Sequence, residues 1–339
     1  MDWKLLNCKE FIHYSEQWNE LNCASQNLPI LEADFVGPLI NQFFKGDEVL
    51  ALGYENQQLV TAGFFHQVGF AHWASVMPSQ APLCLWIAQK HAMDDAIFRS
   101  LAAALPGLVL MIDLLQVDTR DLVSPHTNNF EHAHYITTGN RPIAEDFDQY
   151  FNGLGKNLRQ NYNKVINRAA KSGDVLATRR VTSPEDVQDA VIQYGKIENQ
   201  GWKAKEGTAV SPNNDQGAFY LEMLTNMAKR DQACVWYYLI NDNIAAVDLC
   251  IQSHETLIIL KTTYDESFNK QSPALQLKIE MLKYYAVNDE NVKNIEFFGK
   301  TMEWHKRLDS KLRDIQHFTW FKNQFLHSII NIIKRLKLN

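Results

Sequence analysis

Apolar residues recur at spacings of three and four over about residues 10 to 24 and 34 to 44, and again over about 184 to 199 and 215 to 230. That period places them on one face of a helix, so two pairs of amphipathic helices are expected. Each pair is followed by a similar stretch. Gly53 to Gln67 (GYENQQLVTAGFFHQ) aligns without a gap on Tyr238 to Gln252 (YLINDNIAAVDLCIQ), and Asn56 falls on Asn241. Both stretches read as two β-rich runs around a short polar turn, the pattern of a hairpin. A further strand follows each hairpin, then a helix (about 94 to 104; about 273 to 287), then a strand (Val109 to Leu114; Val292 to Phe298). The order β, α, α, β, β, β, α, β therefore occurs twice. It predicts a duplicated α/β protein in which each mixed, mostly antiparallel sheet is covered by helices. Between Gly139 and Gly155 the sequence turns rich in Pro, Gly and acids, which puts the expected boundary near 150 and the two domains at 1–150 and 151–339.

Composition narrows the function. A chain of 339 residues fits two domains, and 46% hydrophobic residues against 21% charged is too apolar for a disordered chain. The net charge of −6 supplies no basic field for bulk DNA binding. Five scattered cysteines without a CxxC fit neither a disulfide framework nor a thiolate zinc site, so a reducing cytoplasm is expected. The start MDWKLLNCKEF has an acid where an export signal has a basic region, and the best apolar run, Leu108 to Leu115, is short and carries Asp113. From Phe318 onward the tail holds Lys322, Lys334, Arg335 and Lys337 and no acid. Phe321, Phe325, Ile329, Ile332 and Leu336 follow helical spacing. A basic amphipathic C-terminal helix is expected, packed on its domain or resting on the anionic inner face of a membrane.

Several motifs could carry chemistry. In Gly155 to Gly173, Lys156, Arg159, Lys164, Arg168 and Lys171 share about half of a helix, opposite Leu158, Tyr162, Val165, Ile166 and Ala169. A solvated surface is the plain reading; in an acidic chain the same face makes a local field for an anion. Asp248 stands inside the apolar run IAAVDLCI, and Lys261 closes the apolar run before it. A connection around Ser253 to Glu255 sets them opposite one another, as a buried structural pair or as perturbed groups available for acid–base work. Ser272 is an N-cap candidate and Pro273 suits a first helical position, so the loop before them points backbone N–H groups and a positive helix end at an anion, with Lys270 adding charge. NQGWKAKEG (Asn199 to Gly207) and IEFFG (Ile295 to Gly299) are two further clusters that turn and core chemistry would also explain. His132 and His134 share a strand face without a third ligand, so no metal site is expected.

Taken together, GKNLRQNYNK with Arg159, GWK at Gly201 to Lys203, KTTYD at Lys261 to Asp265, SPALQL from Ser272, and EFFG at Glu296 to Gly299 followed by Lys306 resemble the GNAT acyltransferases. The resemblance is to the two-domain branch named for polysaccharide or cellulose biosynthesis, related in fold to the Fem aminoacyl transferases, and it covers mostly residues 150 to 321. It implies tandem GNAT-like domains and transfer of an acyl group from acetyl-CoA or another acyl-CoA, without a metal, to an amino sugar or similar small glycan precursor. The donor diphosphate would sit at Lys270, Gln271, Ser272, Pro273 and Ala274, where the family usually has Ser-Pro-Gly. Catalysis would fall to Asp248 as base, Lys261 orienting it or the acceptor, and Tyr264 serving the thiolate. Arg159, Trp202, Lys203 and Glu296 would surround the acceptor. The first domain has no such loop between Met77 and Met93 and is expected to shape the acceptor cleft. Two alternatives stand: a Fem-like enzyme using aminoacyl-tRNA, with the helix from Lys156 to Lys171 as its tRNA contact, and an inactive GNAT-fold scaffold.

Overall fold

The computed structural model describes residues 1–89, 94–120, 129–200, 210–211, 213–253, 255–289 and 291–325. The chain forms two compact units, Met1–Thr137 with the chain from Arg313 onward, and Thr138–Leu312. In the first, β1 (Asp2–Asn7), α1 (Ser15–Cys23), α2 (Ala33–Phe43), β2 (Val49–Glu55), β3 (Gln58–Gly69), β4 (His72–Ser75), β5 (Trp86–Ala88), α3 (Asp95–Ala104) and β6 (Met111–Asp118) follow in order, and β7 (Phe130–Pro142) carries the chain across the boundary. The second contains α4 (Phe147–Gly153), α5 (Lys156–Ser172), β8 (Leu176–Val181), α6 (Pro184–Glu198), α7 (Asp215–Ala228), β9 (Ala233–Ile240), β10 (Asn243–Ser253), β11 (Thr256–Tyr264), α8 (Pro273–Asn288), β12 (Asn294–Glu296) and α9 (Glu303–Arg307); β13 (Lys311–Phe321) leads out of it.

The expected repeat is present. In unit 1 the neighbours run β1-β2-β3-β4-β6, in unit 2 β8-β9-β10-β11-β12, and in both the last two strands named are parallel while the others are antiparallel. The two hairpins use the same turn. Asn56 and Gln57 have φ of 49° and 66°, and Asn241 and Asp242 have 50° and 62°. Two successive residues with positive φ define a type I′ turn, whose twist suits a two-residue hairpin, and Asn tolerates that region better than most residues.

What the repeat does not foretell is the last strand of each sheet. The strand antiparallel to β6 is β13, from the end of the chain, whereas the strand antiparallel to β12 is β7, from the end of the first repeat. Compact units therefore do not coincide with the contiguous halves 1–150 and 151–339. The same pairing corrects the start of the expected C-terminal helix. Phe318–Phe321 belong to β13, and Phe318 and Trp320 alternate into a core with Phe98, Leu101 and Trp86. The period there is two, not 3.6. Residues 326–339, which hold the rest of that expected helix, lie outside the described residues.

Unit 2 packs Leu257, Leu277, Met281, Tyr285 and Ile295 into one core with Trp236 and Leu158. Helix α5 stops at Gly173, whose φ of 79° is a left-handed conformation available to glycine at little cost. Among the described residues, no helix is long and apolar enough to cross a membrane.

Substituting the turn asparagines should separate conformation from hydrogen bonding. Asn241 also accepts from the Val175 N–H (2.8 Å) and donates to Asp174 (2.7 Å). Asn56→Gly is therefore expected to leave thermal stability nearly unchanged, and Asn241→Gly to cost about 1 kcal/mol. Equal shifts in calorimetric melting would refute the distinction.

Candidate active site

The chain leaves β11 at Tyr264, and Asp265 accepts from the Ser267 N–H (2.8 Å) to start a 3-10 turn over Glu266–Gln271. Ser272 then adopts φ 49°, Pro273 occupies the first helical position, and α8 begins with no side chain capping it. Its positive end and unsatisfied N–H groups are thus left for a ligand. Beside this start lies a cavity of about 410 Å³. Lys270, Gln271 and Ser272 form one wall, Lys164 and Arg168 of α5 the other, and Leu158, Tyr162, Ile240 and Ile279 the apolar floor. Pro273 and Ala274 belong to the first turn of α8 but are not among the lining residues.

Two sequence motifs more than one hundred residues apart, the basic helix and the Ser-Pro loop, therefore meet at one cavity. Gln276, only 2% exposed, also lines it, and the amide oxygens of Gln276 and Gln271 are buried with no partner among the described residues. Leaving such acceptors unpaired costs free energy. A ligand bearing both a diphosphate and amide or hydroxyl N–H and O–H donors, as coenzyme A does, satisfies the cations and the carboxamides together.

A larger groove of about 1240 Å³ shares Leu158, Asn161 and Arg307 with this cavity. Lys156 of α5 and Lys306 line it, as do Glu145 and Glu303. Arg141 lies over the Tyr150 ring at 4.2 Å and donates to the Asp309 carbonyl (3.0 Å), while Tyr150 donates to the Leu308 carbonyl (2.9 Å). Burial pushes the Tyr150 phenol up to about 12, so it is a neutral donor at pH 7. Arg159 lines neither space; its Nε donates to the Leu154 carbonyl (3.0 Å).

In the sheet, the expected pairing of Asp248 with Lys261 fails for a definite reason. The β10/β11 ladder shifts register between Leu249 and Cys250, so Leu249 faces Lys261 and Asp248 faces Thr262. A one-residue shift sends side chains to opposite faces. Asp248, fully buried, accepts from Thr262 Oγ1 (2.7 Å) and from Lys278 Nζ of α8, and Lys278 also donates to Thr262 (3.0 Å). Lys261 points the other way, donating to Gln216 of α7 (3.3 Å) with its ammonium 5.6 Å from the Tyr220 ring centre.

Lys278 is the residue that sequence reasoning missed. Its signal was present: a lysine inside LQLKIEML, a helix apolar on nearly every side, has little choice but to be buried and paired. Glu198 was missed as well. It lies on the α6 end that precedes GWK, is 2% exposed, and accepts from Tyr194 Oη (3.0 Å) and the Val210 N–H (2.8 Å).

Tyr264 stands opposite Ala246, two residues beyond Thr262 on the same strand, packs on the core and lines neither space. Glu296 is fully buried on β12, opposite Ile258 and Asn140. Trp202 and Lys203 lie outside the described residues. His132 packs on Phe318 and His134 lies 3.5 Å from Asp314; among the described residues no three His, Cys, Asp or Glu side chains converge as a metal site.

Residues 156–307 match the model of the acetyltransferase (GNAT) domain. No curated protein matches the sequence at significance. Among solved structures, a conserved protein from Bacteroides thetaiotaomicron superposes with a TM-score of 0.60 at 14% identity, covering 94% of this chain and all of that one. FemX superposes at 0.58 with 11% identity, covering 97% of this chain and 100% of its own. The C-terminal domain of a putative lysylphosphatidylglycerol synthetase from Agrobacterium fabrum gives 0.55 at 11%, over 91% and 92%. The fold is a tandem GNAT-like α/β fold, and the protein is an enzyme of the acyltransferase class.

Removing one member of a buried ion pair leaves the other charge uncompensated, at a cost of about 3–5 kcal/mol, whereas replacing both with apolar residues is often neutral. Asp248→Leu and Lys278→Met should each lower the melting temperature steeply, and the double variant should recover most of the loss. No recovery would show that the pair is not the controlling interaction.

His305, 3% exposed, accepts from the Met302 N–H at Nδ1 (2.8 Å); burial, assisted by the Lys278 ammonium, lowers its pKa to about 4. The native state holds it neutral while the unfolded chain protonates near 6.5. Stability is then complete above pH 6.5 and declines as pH falls toward 4, by about 3 kcal/mol in all. His305→Gln should flatten that part of a stability–pH curve, which chemical denaturation across the range would measure.

Proposed function

We propose that this enzyme transfers an acyl group from acyl-CoA to the amine, or less readily a hydroxyl, of an amino sugar or similar small precursor of a bacterial surface polysaccharide. The observation that carries the donor half is the cavity where the α8 start, Lys270, Lys164 and Arg168 converge over two unpartnered carboxamides. Its cations and helix end hold the diphosphate, and Gln271 and Gln276 take N–H or O–H groups of the donor arm. The acceptor half rests on the order of sequence motifs.

Bond making needs a free amine at the thioester carbon, a base for the proton it loses, and a proton for the departing thiolate. Asp248 answers poorly as base, because both of its oxygens are engaged and one faces an ammonium. Glu198 is the better candidate: it is a buried carboxylate at the end of α6, just before the GWK segment in the sequence, it accepts from Tyr194 Oη and the Val210 N–H, and it lies on the side of the sheet that carries Lys261 and α7. Lys261, on that same face, then orients the acceptor, whereas Tyr264 lies on the opposite face and lines neither space, so it takes no part in this arrangement. A second reading, a Fem-like transferase using aminoacyl-tRNA, is favoured by one feature: Lys156, Lys164, Arg168 and Lys171 of α5 are all exposed.

Titration calorimetry with acetyl-CoA tests the class and the site together. Binding is expected, weakened about tenfold or more in a Lys164→Ala/Arg168→Ala variant, which corresponds to about 1.4 kcal/mol. Glu198→Gln should lower kcat at least a hundredfold with donor affinity intact. Steeply salt-dependent binding of tRNA without coenzyme A binding would select the Fem-like reading, and binding of neither would leave a scaffold.

A further inference from the structure

Cys234 of β9 and Cys250 of β10 stand directly opposite one another in an antiparallel ladder. Both are free thiols and fully buried. Directly opposed residues in such a ladder have Cα atoms about 4.5 or 5.5 Å apart according to the type of pair, and both values fall within the roughly 4.4–6.8 Å that a disulfide spans. The ladder thus brings the two Cα atoms within disulfide distance.

The charged surroundings of the two sulfurs differ. Arg180 of β8 lies opposite Trp236, two residues from Cys234 on β9. Among the described residues its guanidinium has no carboxylate partner. Its one hydrogen bond to an oxygen is a long one from Nη2 to Gln252 Oε1 (3.4 Å), its Nε is buried without an oxygen or nitrogen partner, and its charge acts on the Cys234 sulfur. Tyr285 Oη lies 3.9 Å from Cys234 Sγ and receives the Trp236 indole N–H (3.2 Å). On the Cys250 side the charged neighbours are Asp248 and Lys278, which neutralise one another. A hydrogen bond from Cys250 and the Arg180 charge lower the Cys234 thiol to about 7, whereas burial holds Cys250 well above its ordinary value. One sulfur is thus prepared as a thiolate and the other keeps its proton.

The geometry points to Cys234 and Cys250 as an oxidation site, a dithiol that a hydroperoxide converts reversibly into a cross-strand disulfide within the acyltransferase domain. The Cys234 thiolate attacks one peroxide oxygen and breaks the O–O bond, giving a sulfenic acid and hydroxide. The Cys250 sulfur then displaces hydroxide from the sulfenic sulfur. Its thiol proton and the one that Cys234 released on becoming a thiolate neutralise the two hydroxides, so that two thiols and one hydrogen peroxide become one disulfide and two waters. The two sulfurs supply the two electrons.

The native full chain is treated with hydrogen peroxide, quenched in acid, alkylated after denaturation and digested for mass spectrometry. An intramolecular Cys234–Cys250 link is expected, forming faster as pH rises because the Cys234 thiol is lowered, and lost on treatment with dithiothreitol. Arg180→Gln should slow its formation about tenfold, while Arg180→Lys should retain most of the rate. If neither variant folds, the pH profile of the wild type carries the test. Three results would overturn the assignment: oxidation of the exposed Cys23 while the pair stays reduced, a link that appears only in unfolding concentrations of urea, or a rate indifferent to pH and to Arg180.

Discussion

A one-residue bulge in the hairpin of β10 and β11 governs the chemistry of the C-terminal unit. It turns Asp248 toward α8, where Lys278 and Thr262 hold it, and leaves Lys261 facing α7. Without the bulge, the two charges the sequence places in apolar strands would lie side by side and cancel on one face. With it, one face carries a closed ion pair anchoring the helix whose start forms the candidate donor site, and the other face carries a lysine beside α7 near the buried carboxylate of Glu198. Burial of the pair costs desolvation that only close contact repays, so α8 has one comfortable position on the sheet.

That position matters because the donor cavity is made by two elements with separate origins. The loop from Lys270 to Ser272 follows the sheet, and α5 precedes it by about a hundred residues. Their cations would repel one another across an empty groove, and the carboxamides of Gln271 and Gln276 would be left without partners. Such an arrangement is unfavourable for the protein alone and favourable with a polyanion in place, which is the usual thermodynamic form of a preorganised binding site.

The two repeats share strand order, hairpin turn and the parallel pair that precedes the last strand, yet each sheet ends with a strand from the other repeat. This accounts for the difference between contiguous halves and compact units. Strand exchange leaves no local mark: nothing in the residues of β7 (FEHAHYITTGNRP) or β13 (KLRDIQHFTWF) says which sheet receives them.

By itself the sequence determined what depends on near neighbours. The helices from 184 and 215, the hairpins turning at Asn56 and Asn241, the N-terminal Pro273 of α8 and the basic stripe of α5 follow from spacing, turn chemistry and capping, all of which operate within a few residues. Lys270, Gln271 and Ser272 could be assigned to a ligand site on that basis. Tertiary structure decided the rest: that Asp248 pairs with Lys278 and not Lys261, that Tyr264 and Glu296 are packed into strands, that Arg159 binds a backbone carbonyl, that Phe318–Phe321 form a strand, and that Cys234 meets Cys250. Each depends on register or on contacts between distant segments, and a register shift of one residue exchanges the two faces of a sheet while leaving the composition of its strands the same.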